Sequence, residues 1–76
     1  MNGFDIKMKG LALLNNRVQD LLQDGYHVII NYKSDDLCLV KLRHHNGNRI
    51  VVKYNAVDGI LSQHTNNIEV FHHEVC

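Results

Sequence analysis

The chain contains no proline and no tryptophan, only two cysteines, and no net charge, with eight Lys plus Arg against eight Asp plus Glu in 76 residues. Each shortage excludes something. Without proline or any serine- or glycine-rich stretch, no rigid spacer or flexible linker divides the chain, so residues 1–76 read as a single domain. Cys38 and Cys76 can make at most one bridge, which rules out a disulfide scaffold. Cys38 lies between leucines as a buried reduced thiol would, which fits a reducing, cytoplasmic setting. A charge sum of zero provides no long-range field to steer a phosphate backbone. Apolar runs are short: Lys7 and Lys9 precede Leu11-Ala12-Leu13-Leu14, but Asn15 and Asn16 end that run well short of a signal-peptide core. Nothing approaches the ~20 apolar residues of a membrane helix.

Hydrophobic residues nevertheless make up 45% of the chain and charged residues 21%, a balance that folds. A domain this small has a single core worth roughly 3–5 kcal/mol net. Leu11, Leu14, Val18, Leu21 and Leu22 recur at the spacing of one helical face, with polar residues between them and Gly25 as a left-handed stop. A helix over about Lys9–Asp24 is expected; Phe4, Ile6 and Met8 suit either an extended segment or another helical turn.

After Gly25 the period becomes two. Tyr26, Val28, Ile30 and Tyr32 share one face of a first strand, Cys38, Val40 and Leu42 one face of a second, and Ile50, Val52 and Tyr54 one face of a third. A three-residue loop with Gly47 left-handed pairs Leu42 with Ile50, Val40 with Val52 and Cys38 with Tyr54, keeping charge off the apolar face. The turn at Ser34-Asp35-Asp36 then sets Tyr32 beside Cys38, Ile30 beside Val40 and Val28 beside Leu42. Ile60–His64 and Ile68–His73 alternate less cleanly and add up to two strands. The expected fold is α+β: an N-terminal helix on one face of an antiparallel meander of three to five strands, covering Val28, Ile30, Val40, Leu42, Ile50 and Val52.

The opposite face carries the functional expectation. In this register it holds Ile29 and Lys33, then Leu39, Lys41 and Arg43, then Arg49, Val51 and Lys53. Five of the eight basic residues surround an apolar centre of Ile29, Leu39 and Val51, and no acidic residue joins them. An apolar centre with a charged rim is the anatomy of a binding surface. It equally describes strand-forming side chains screened by lysine stems. The partner expected is another protein, acidic in character, or a second copy of this chain. Nucleic acid is the alternative, disfavoured because this face carries no aromatic residue for bases to stack on.

Chemistry-bearing motifs are weak. Six histidines include the adjacent pairs His44-His45 and His72-His73, but strand neighbours point to opposite faces, so each pair supplies one ligand to a given site. His72 or His73 with Glu74 and Cys76 could chelate only if the tail bends. These histidines read as solvated turn and terminal residues, and no metal or other cofactor is assigned. Ser62 and His64 would share a strand face about 7 Å apart, too far for proton transfer, and Asp35-Asp36 reads as a turn. No glycine-rich phosphate loop occurs. The expectation is a non-catalytic binding module of the inhibitor, adaptor or accessory kind, a class to which phages and mobile elements contribute many small members.

Overall fold

In the computed structural model, which describes residues 3–75, one helix is followed by a five-stranded antiparallel sheet in the order β1-β2-β3-β4-β5. The elements are α1 (Gly3–Gln23), β1 (His27–Lys33), β2 (Leu37–Arg43), β3 (Arg49–Asn55), β4 (Ile60–Thr65) and β5 (Ile68–Glu74). No helix among the described residues is long and apolar enough to cross a membrane. The helix takes in the segment from Phe4 to Met8; the side chains of Phe4 and Ile6, like Cys76, lie outside the described residues.

The helix ends where its sequence says it should. Tyr26 N–H donates to the Leu21 carbonyl at 3.1 Å and Gly25 N–H to that of Leu22 at 3.1 Å, a Schellman closure with Gly25 at φ 98°. His44 reinforces it from the β2–β3 turn. Its Nε2 lies 3.1 Å from the Asp24 carbonyl oxygen while Nδ1 accepts Asn46 N–H at 3.1 Å, which assigns the Nε2–H tautomer. Its ring packs edge-on against Tyr26. His44 is therefore a half-buried clasp between turn and helix rather than a solvated turn residue. His44→Ala is expected to cost about 1–2 kcal/mol in urea denaturation, since two hydrogen bonds and a ring contact go, whereas exposed His45→Ala should be near neutral. Equal losses from the two would remove that role from His44.

The β2–β3 hairpin has the expected register: Leu42 opposite Ile50, Val40 opposite Val52 and Cys38 opposite Tyr54. His44 N–H bonds the Asn48 carbonyl and Gly47 N–H returns to that of His44, closing a three-residue loop with Gly47 at φ 96°. The last two strands join the same sheet, β4 and β5 being connected by Asn66 and Asn67, both left-handed at φ 52° and 70° as a type I′ turn requires.

The β1–β2 register departs from expectation. Val28 faces Leu42, but Ile30 then faces Lys41, Asn31 faces Val40, Tyr32 faces Leu39 and Lys33 faces Cys38. Ile29 is the extra residue of a β-bulge, so everything beyond it is turned to the other face. Tyr32 and Ile30 therefore share the face opposite the helix, and Lys33 lies on the helix side.

Nor does the helix cover β1. Gly10 abuts the Tyr54 ring of β3, and Arg17 Nε donates to Gln63 Oε1 of β4 at 2.6 Å, so α1 runs along the middle of the sheet. The core is Leu14, Val18 and Leu21 of the helix with Cys38, Val40, Leu42, Ile50, Val52, Tyr54, Leu61 and Val75. Val28 and Ile30, expected within it, are 42% and 49% exposed. One helix about 10 Å wide cannot blanket five strands spaced about 4.8 Å apart, and it centres where the apolar rows are densest.

Candidate functional site

The face away from the helix is organised in cross-strand rows. One runs Ile30, Lys41, Val51, His64, Glu69; the next runs Tyr32, Leu39, Lys53, Ser62, His72; Arg43 and Arg49 face each other toward the β2–β3 turn. Leu39, Lys41, Arg43, Arg49, Val51 and Lys53 thus lie together where the alternation placed them. Ile29 and Lys33 do not: Ile29 is the unpaired bulge residue and Lys33 has crossed to the helix side, with Ile30 and Tyr32 in their stead.

Tyr32, 52% exposed, overturns the expectation that this face lacks aromatics. The face is also not free of acid once β5 is added. A second bulge, at Val70, brings Glu69 and His72 to the same side, where His72 Nδ1 and Glu69 Oε1 lie 3.2 Å apart. Ile68–Phe71 extends the far edge of the sheet, so it does not cover the apolar centre, and the backbone of Phe4–Met8 is helical.

Electrostatics separate the cations from the carboxylates. Among the described residues the Glu69 carboxylate lies against the His72 ring, and Lys41, Arg43, Arg49 and Lys53 have no carboxylate within ion-pair distance. Arg43 and Arg49 are direct cross-strand neighbours, an arrangement that like charges disfavour. Two depressions open on this face. One, of about 300 Å³, lies between the β2–β3 and β4–β5 turns and is lined by Lys41, Arg49, Val51 and His64 with Gly47, Asn66 and Asn67. The other, of about 280 Å³, lies over Lys53, Ser62, His64 and His72. A third groove, of about 390 Å³, is on the helix side between Leu13 and Phe71, with Arg17 across its wall.

Ser62 lies opposite His72, whose Nδ1 is 3.2 Å from Glu69 Oε1. The described residues hold no group of three or more metal-ligating side chains. His72 and His73 diverge, His72 toward Glu69 and His73 toward Phe71 on the helix side. Cys38 is a buried free thiol.

β1 itself is an open edge with apolar content. It pairs with β2 alone, and all seven of its residues are exposed, with Val28, Ile29, Ile30 and Tyr32 among the large apolar ones. β5 is equally exposed, but Glu69 and Glu74 guard it, whereas β1 carries a single formal charge, Lys33, at its end. No family model, curated protein or solved structure matches the chain, so the reading of this face rests on its own geometry.

Proposed function

We propose that the chain is a small, non-catalytic protein-binding module of the inhibitor, adaptor or accessory type, acting in the cytoplasm, that receives a strand of an acidic partner along β1 and against the outer sheet face. The observation that carries this reading is the bare edge strand: its outward N–H and C=O groups face solvent between Val28 and Tyr32, flanked on the outer face by cations that have no carboxylate partner among the described residues. Strand addition to such an edge supplies affinity through main-chain hydrogen bonds, with side chains on the adjoining face choosing the partner. Carboxylates of that partner would complement Lys41, Arg43, Arg49 and Lys53, the role expected of them from the sequence. Ile30, Tyr32, Leu39 and Val51 provide the apolar centre, to which the bulge residue Ile29 is adjacent.

Two other occupants are readings of the same surface. A second copy of the chain could pair β1 with β1, and Tyr32 on the outer face favours nucleic acid more than the sequence alone did. Affinity capture from the cells that make the protein, after nuclease treatment, should retain an acidic protein on wild type and lose it with Ile30→Asp. The side chain of Ile30 is half exposed, so the fold should tolerate the change. Dimers in light scattering that Ile30→Asp converts to monomers would assign the edge to self-association. Binding that survives Ile30→Asp but falls steeply with salt and with Lys41→Ala would overturn the protein reading in favour of nucleic acid.

A further inference from the structure

The outer face has a second feature to which β1 contributes nothing. Between the β2–β3 and β4–β5 turns, Lys41 of β2, Arg49 and Val51 of β3 and His64 of β4 converge on one cleft, with Asn67 of the β4–β5 turn on its wall. The backbone there is built to hold its shape. Arg49 N–H donates to Asn66 Oδ1 at 3.0 Å, Asn66 N–H donates to the Arg49 carbonyl at 2.8 Å, and both turn asparagines are left-handed. Gly47 forms the opposite wall, and a β-carbon there would meet nothing within 4 Å, so that side is open to a ligand.

The charge is what needs explaining. Lys41 and Arg49 line the cleft, Arg43 is directly opposite Arg49, and none of the three has a carboxylate partner among the described residues. The nearest acid in the register, Glu69 beyond His64, is engaged by His72. Placing like charges face to face on a sheet is unfavourable unless an anion lies between them or close by.

We propose that this cleft is a receptor for one tetrahedral oxyanion, specifically the phosphate of a phosphate monoester. Such a group carries close to two negative charges at neutral pH, which matches the Lys41 and Arg49 pair with Arg43 adding to the field. Arg49 can hold two phosphate oxygens at once, Lys41 supplies a point charge, and His64 and Asn67 provide further donors. Val51 lends an apolar floor that keeps the contacts from being diluted by solvent. A monoester fits better than a nucleic-acid backbone because the cations converge on one cleft walled by two turns, and the exposed aromatic on this face, Tyr32, is not among the lining residues. The site goes beyond the edge-strand reading in using none of β1, although it shares Lys41, Arg49 and Val51 with the face proposed for the protein partner.

The test is a ¹⁵N–¹H titration of the full chain with inorganic phosphate, with free phosphoserine and with a short single-stranded oligonucleotide, each against sodium chloride of the same ionic strength. Saturable shifts at Gly47, Arg49, His64 and Asn67 are expected with phosphate and phosphoserine. Arg49→Gln and Lys41→Gln should each weaken binding by roughly tenfold, and Val57→Ala, at an exposed position between β3 and β4 and outside the cleft, should leave it unchanged. Stronger saturation by phosphoserine than by phosphate would place the ligand's phosphate on an organic carrier; the reverse would make it free phosphate and overturn the monoester. Both variants change exposed or half-exposed side chains, and unaltered resonances of Leu42 and Val52 would certify their fold. Shifts that chloride reproduces, or variants that titrate like wild type, would overturn the site. Tighter saturation of the same residues by the oligonucleotide would overturn the monoester assignment and give the cleft to nucleic acid.

Discussion

Gly10→Ala is expected to cost about 3 kcal/mol or to unfold the protein outright, although helix propensity alone predicts a gain of up to about 1 kcal/mol. Gly10 lies inside α1, where glycine is ordinarily a liability. Here it makes a slot. A β-carbon at this position would overlap the ring of Tyr54, which is among the most deeply buried side chains and is packed between helix and sheet. Neither side can yield without cost, because the helix backbone is continuous and the ring belongs to a central strand. Against the roughly 3–5 kcal/mol that a core of this size supplies, such an overlap consumes most of the stability. Urea denaturation with far-UV circular dichroism measures it. Tyr54→Leu in the same background should recover part of the loss, giving a double-mutant coupling that neither change predicts alone. A midpoint for Gly10→Ala equal to or above that of wild type would mean that α1 does not cross Tyr54 at this point.

The second large effect is a contrast between cross-strand neighbours. Leu42 and Val28 face each other across β1 and β2, yet Leu42 is 0% exposed and Val28 is 42% exposed. Leu42→Ala is expected to lose about 3–5 kcal/mol, combining lost transfer energy with a cavity that β2 and β3 cannot collapse. Val28→Ala should lose no more than about 0.5 kcal/mol, the scale of a surface change. Chemical denaturation of the two variants side by side decides it. Similar losses would mean that the helix, or another covering element, reaches β1 after all.

These two cases show where legibility in the sequence ended. The helix period, the Gly25 stop, the change to period two and the loop at Gly47 are local, and each could be read from a few neighbouring residues. The β2–β3 register was legible because a one-residue slip there would bury lysine, so the pattern itself excludes the alternative. The β1–β2 register was not, because an edge strand that the helix does not cover suffers no penalty for turning Asn31 and Lys33 to the inner side. Of the eight residues named for the outer face, the six on β2 and β3 keep their places, and the two that do not, Ile29 and Lys33, are on β1, where Asn31 also turns inward. His64 and the cleft it lines needed β4 in register, which its short and mixed pattern left open. Gly10 gave no sign of its role, since a helical glycine looks the same whether or not a ring rests on it.

The neutral sum of eight positive and eight negative charges belongs to the sequence, and so does the placing of basic residues at alternate positions of β2 and β3. Local periodicity and turn chemistry were enough to determine the fold class and the central hairpin, because both depend on interactions between residues close along the chain. Which strands the single helix covers, where the bulges fall, and that β1 is left bare beside a cluster of cations without carboxylate partners among the described residues were decided by the tertiary structure alone. Those features follow from a competition for limited apolar cover among five strands, and no short window of sequence contains that competition.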